Sequence, residues 1–282
     1  MACQAAAGAF PNAPYRGNVA PDRPSRQRPR AGERFSPGRA AAAVRVVRRP
    51  GHVVASSIME GARHPQPDRD DLAAAETAAR QIALTRLHGE IVACQRCVLA
   101  GYIPTAFPIF RGTIEQRLMV LGQAPAAPDH ERPVPYMGAS GRTLRAWLVR
   151  AGFDETALHE RCYLTSLTKC FPGSSRGGKG DRPPSAREIA YCRDHLEREL
   201  ALVRPEIIIT LGRLAAVALL GNAALCDLVG TLRPLARTDF SCSVLPLPHP
   251  SGVSRWLNDR ANQQRHQQAL GLLADERVQR GL

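Results

Sequence analysis

The stretch "LPLPHPSG" at residues 245–252 sets a histidine between two prolines, directly after a short apolar run. Proline fixes its own backbone angle and pushes the residue before it toward extended geometry. His249 is therefore mounted stiffly where a strand ends, which suits an imidazole aimed as a hydrogen-bond donor and equally suits a plain turn. Thiols form the second group: Cys94 and Cys97 make a C-x-x-C pair, and Cys170 and Cys192 flank a glycine-rich loop. Thiolates at such spacing bind zinc or an iron–sulfur cluster. Cys162, Cys226 and Cys242 lie on apolar runs and read as ordinary buried thiols. A third group is the turn "GQAPA" (122–126), where Gly122 lets backbone approach a ligand closely. Asp129 and Glu131 follow it, the latter reading as a solvated loop residue. In "PYMGASG" (135–141), Tyr136 is placed to stack on a flat ligand or to pack.

These residues need a frame. A helix is expected over "DRDDLAAAETAARQIALTRLHGEIVAC", with acids at its start and apolar residues at helical spacing. Strands are expected at 117–123, 161–170, 205–212 and 242–248. Helices are expected at 140–152, 185–203, 213–221 and 259–278. Ser185 followed by Glu188 is a capping-box signature for the second of these. Alternating strands and helices predict an α/β fold: a single three-layer α/β/α domain over residues 69–282 with a mainly parallel central sheet. Ligand sites in such folds lie at the C-terminal strand ends. "GQAPA", "SLTKC" and "PHPSG" all fall there.

Residues 1–68 are rich in Arg, Ala, Pro and Gly and read as a disordered basic tail. A start site assigned too early would explain this segment as well, since Met59 opens a more ordinary sequence. The net charge is +13, with ten arginines against Asp22 and Glu33 in residues 1–58. Arginine favours phosphate contacts, but a GC-rich genome enriches the same residue types, so charge alone names no partner. No apolar run approaches the roughly 18 residues of a membrane span. No signal-peptide pattern is visible, so a cytoplasmic protein with reduced thiols is expected. Nothing points to an obligate oligomer, and a monomer is expected.

Taken together, "GQAPAAPDHERPVPYMGASGRTL", "YLTSLTKC" and "LPLPHPSG" resemble uracil-DNA glycosylases, most closely the iron–sulfur members called families four and five. The resemblance covers roughly residues 88–275. It implies a [4Fe–4S] cluster on Cys94, Cys97, Cys170 and Cys192, with zinc as the alternative. It implies that His249 hydrogen-bonds the uracil carbonyl and that Tyr136, usually phenylalanine in the family, stacks on the flipped base. Gly122, Gln123 and Ala124 would contact the base through backbone, and Asp129 would lie near the attacking water. Ser251, Gly252, Val253 and Arg255 would press into the DNA minor groove. Two departures stand out. Ser166 takes the place of an asparagine that reads the uracil edge, and Ala126 stands where classical members carry a tyrosine that excludes the thymine methyl. The insertion "GSSRGGKGD" also lengthens the span between the last two cysteines. The expected function is excision of uracil or a related deaminated base from DNA. The alternative is an iron–sulfur DNA-binding or damage-sensing module with little glycosylase activity. A third reading is an enzyme for deaminated purines such as hypoxanthine.

Overall fold

The structure is a computed structural model that describes residues 68–127, 133–175, 177, 180–252 and 254–282. Apart from Asp68, the expected basic tail lies outside the described residues. Five strands form one sheet: β1 (Leu118–Gly122), β2 (Cys162–Ser166), β3 (Ile207–Leu211), β4 (Arg233–Ala236) and β5 (Ser241–Leu247). Their order is β2-β1-β3-β5-β4. All neighbours are parallel except the β4–β5 pair. The described helices are α1 (Arg69–Val92), α2 (Arg96–Leu99), α3 (Ala139–Arg150), α4 (Ala157–Glu160), α5 (Ala186–Val203), α6 (Gly212–Leu220), α7 (Leu225–Leu228) and α8 (Arg260–Arg280).

The three-layer expectation is met. Strand side chains alternate between faces, and β1 shows this directly. Leu118 and Val120 pack with Leu144 and Leu148 of α3 and Leu270 and Leu273 of α8. Met119 and Leu121 pack with Leu84 and Leu87 of α1, Leu196 and Leu200 of α5, and Ala215 of α6. Both faces are covered, so β1, β2 and β3 are buried along their whole length, as uninterrupted apolar runs require. The Ser185 capping box forms, with Ser185 Oγ accepting from Glu188 N–H and Glu188 reaching back to Ser185 N–H. At the other end of α5, Arg80 of α1 donates to the Leu202 and Val203 carbonyls, which have no partner within the helix.

Two differences bear on the site. The second strand is shorter than expected and ends at Ser166. There the chain turns, because Leu167 N–H donates to the Gly122 carbonyl and Thr168 N–H to that of Gln123. The turn carries Lys169 and Cys170 off the sheet. The edge strand β4 was not expected; it is short, exposed at three of four positions and contains Pro234. Of the thiols read as buried, Cys162 and Cys242 are, but Cys226 is half-buried. Among the described residues no helix is long and apolar enough to cross a membrane.

Candidate active site

The C-terminal ends of β2, β1, β3 and β5 lie side by side. From β1 the chain moves outward to β2, whereas from β3 it moves the other way along the sheet toward β5 and β4, so the strand order reverses at the β1–β3 junction. A crevice opens at such a switch point. In register, Gly122 pairs with Ser166. A Cβ on Gly122 would lie 2.6 Å from Tyr136 Oη and 3.2 Å from Ser166 Oγ. Gly122, Tyr136 and Ser166 are thus one cluster. Tyr136 is fixed from below. Its φ is 61°, unusual outside glycine, and His159 Nε2 donates to the adjacent Pro135 carbonyl at 2.9 Å. The Tyr136 carbonyl sits where a Cβ of Gly141 would be, 1.5 Å from that position. Gly141 on the first turn of α3 is therefore what lets the tyrosine reach Gly122. Burial pushes the Tyr136 hydroxyl well above the ordinary tyrosine range, so it stays a neutral donor or acceptor.

His249 stands two strands along from β1, beyond β3, and two residues past the end of β5. Pro248 and Pro250 are buried and His249 is half-buried. Ser251 N–H donates to His249 Nδ1 at 3.3 Å, and Ser251 Oγ lies 2.8 Å from the same nitrogen. A backbone N–H can only donate, so Nδ1 is the acceptor and the neutral ring carries its proton on Nε2. Desolvation lowers the His249 pKa, and Asp181 opposes this through its charge. The neutral Nε2–H form is thus the resting one. Gly212, with φ +82°, lies against the ring: a Cβ there would be 3.3 Å from His249 Cβ and 3.6 Å from Cδ2. The bare glycine lets His249 sit close against the start of α6, and β5 lies two strand spacings, about 10 Å, from β1. Gly252 and Arg255 beyond His249 are exposed and Ser251 is half-buried. The amide of Asn262, in the first turn of α8, donates to the Trp256 carbonyl and ties down the end of this loop. Asp129 and Val253 lie outside the described residues.

The four cysteines form a second locus. Cys94, Cys97, Cys170 and Cys192 line one small cavity with Ile91, Ile103, Lys169 and His195. Cys97 and Cys192 hydrogen-bond to each other; this bond and Lys169 N–H hold the Cys192 thiol below its ordinary value, while burial opposes them. Phe107 N–H donates to Cys170. Among the described residues no group of three or more His, Cys, Asp or Glu side chains is arranged to hold a metal ion. The donor chemistry nonetheless fits a thiolate-ligated group: four thiols around one apolar-walled space, with backbone N–H groups directed at two of them.

A buried ion pair joins the two loci. Lys169 Nζ donates to Glu199 Oε2 at 2.6 Å, to Thr165 Oγ1 at 2.7 Å and to the Ser166 carbonyl at 2.7 Å. Tyr163 Oη donates to Glu199 and accepts from His88 Nε2. Sequence reasoning missed Gly212, His195 and this Lys169–Glu199 pair. Only Lys169 left a signal, as one of two lysines in the chain.

Comparison with known proteins bears on what such a site does. The family model described as the uracil DNA glycosylase superfamily matches residues 109–272. A type-4 uracil-DNA glycosylase of Archaeoglobus fulgidus is 27% identical over 173 residues, 58% of this chain and 79% of that protein. A type-4 uracil-DNA glycosylase of Pyrobaculum aerophilum is 31% identical over 137 residues, 49% of this chain and 64% of that protein. A type-5 uracil-DNA glycosylase of the same organism is 31% identical over 156 residues, 46% of this chain and 66% of that protein.

Proposed function

Because the chain belongs to the uracil DNA glycosylase superfamily, a family of N-glycosidic bond hydrolases, we propose that it removes uracil or a related deaminated base from DNA. The observation that carries this reading is the fixed tautomer of His249, whose Nδ1 accepts from Ser251 N–H. A base inside a duplex is out of reach and must be flipped out. When its bond to the sugar breaks, the electron pair stays on the base and spreads to the carbonyl oxygen. His249 Nε2–H donates to that oxygen as the charge builds. The positive N-terminal end of α6, which starts at Gly212 beside the ring, favours the same charge. Water then attacks the cationic sugar, and Asp129 is assigned to orient it. Tyr136 stacks on the base, while Ser166 and the backbone of Gly122, Gln123 and Ala124 read its edge. Ser251, Gly252, Val253 and Arg255 form the loop that enters the minor groove.

Cys94, Cys97, Cys170 and Cys192 would hold a [4Fe–4S] cluster. All four thiols line one cavity, which supports a group held by four cysteines, with zinc as the alternative. When bound, the cluster would supply structural cross-linking between the α1–α2 segment, the turn after β2, and α5.

The test is a uracil-containing oligonucleotide incubated with the protein and then treated with alkali. Strand breakage is expected from the parent. His249→Ala should lower the single-turnover rate about 10²–10³-fold, the cost of losing one preorganised donor, with an unchanged melting temperature. Because Ser166 replaces the family's edge-reading asparagine, a second reading is a module that binds damaged DNA without cutting the glycosidic bond. Binding without breakage, on uracil and hypoxanthine substrates alike, would establish that reading in place of the first.

A further inference from the structure

His195 lies one helical turn after Cys192 on α5, so the two side chains share a face. It is 3% exposed and lines the same cavity as the four cysteines. Both of its ring nitrogens are buried without a hydrogen-bond partner. The other buried polar side chains of this helix are satisfied: Glu188 by Arg182 and Ser185, Glu199 by Lys169, Thr165 and Tyr163. A buried N–H left unpaired costs free energy, and here the open side of the ring is the thiol-lined cavity. A group seated among the sulfurs is placed to complete a hydrogen bond with this ring.

We infer that His195 donates its N–H to a sulfur of the iron–sulfur group held by Cys94, Cys97, Cys170 and Cys192, and thereby sets that group's reduction potential. This rests on the cluster reading given above. A hydrogen bond to sulfur stabilises the reduced, more negative state, so the donor raises the potential. His195 is a positioning residue in this scheme: it touches the cofactor site, not the base.

The experiment uses the full chain purified without oxygen, assayed for iron and sulfide, and titrated by dye-mediated reduction. His195→Phe fills a similar volume without a donor, and His195→Gln keeps an N–H. The expected result is a midpoint more negative in His195→Phe than in the parent, with His195→Gln in between and iron content equal in all three. An iron-loaded His195→Phe protein whose midpoint matches the parent overturns the inference while leaving the cluster intact. A measurement on the parent alone covers the case in which His195→Phe fails to fold. In protein labelled with ¹⁵N-histidine, pulsed EPR of the reduced cluster should show coupling to a histidine nitrogen, and its absence is equally fatal. A parent protein with no iron sinks the cluster reading itself, and His195 with it.

Discussion

Gly122 faces two hydroxyls, and this sets what the residue tolerates. A methyl there would lie 2.6 Å from Tyr136 Oη and 3.2 Å from Ser166 Oγ. The tyrosine cannot simply swing away, because its backbone is locked against Gly141. Gly122→Ala should therefore tilt the ring out of the position proposed for stacking on the base. The stability cost of such overpacking is about 1–3 kcal/mol. The expected loss in single-turnover excision is roughly tenfold or more, since a misplacement of about 1 Å can cost up to about a hundredfold. Adding Tyr136→Phe removes the atom in conflict and should restore much of the rate. Kinetics of the two single variants and the double variant check this; a double variant no faster than Gly122→Ala would refute the clash. Gly122 and Tyr136 could be picked out in the sequence because glycine and proline punctuate the turns around them. Gly212 could not, because its role depends on His249, 37 positions later in the chain, folding back against it.

At the scale of elements, the ion pair of Lys169 and Glu199 fastens the turn after β2 to the C-terminal part of α5. The two side chains are 1% and 0% exposed. Lys169→Met leaves a buried carboxylate with only the Tyr163 and Thr165 hydroxyls as donors. Breaking a buried pair from one side costs about 3–5 kcal/mol. Urea denaturation should show that loss for Lys169→Met, and adding Glu199→Gln should recover a substantial part. A double variant as unstable as the single one would mean that packing, not charge, is at stake. The same elements show what the sequence makes legible. β1, β2, β3 and β5 carry apolar runs that only burial explains, and helices α1, α3, α5, α6 and α8 have an apolar face, a cap or a glycine stop. β4 escapes notice because an edge strand with Pro234 and exposed residues lacks the pattern of a buried one. The ion pair escapes because Lys169 meets Glu199 only once α5 is laid over β2, a tertiary fact with no local signal.

Across the whole molecule, imidazoles buried in the neutral state govern the response to acid. His266 packs on the Trp147 ring with centroids 4.4 Å apart, and its Nε2 is buried without a partner. Burial, aided by the charge of Arg150, lowers its pKa to about 4. Burial also lowers His88 and His249. In the unfolded chain these rings return to about 6.5. Between those values the unfolded state binds protons that the folded state refuses, so stability falls as pH drops. The contribution of His266 is complete above about pH 6.5 and is lost on the way down to about 4, on the order of 3 kcal/mol for that ring. The carboxylates held low by their arginine partners, such as Glu188 by Arg182 against the opposing effect of burial, lose their contribution only below the ordinary glutamate range. Two limbs therefore separate on the pH axis. Urea midpoints at pH 7.5, 6.0 and 4.5 should decline steadily in the parent protein. His266→Phe keeps the contact with Trp147 and removes the titrating ring, so its decline over the same interval should be shallower. An equal decline would mean that His266 does not resist protonation in the fold, and that the acid limb arises elsewhere.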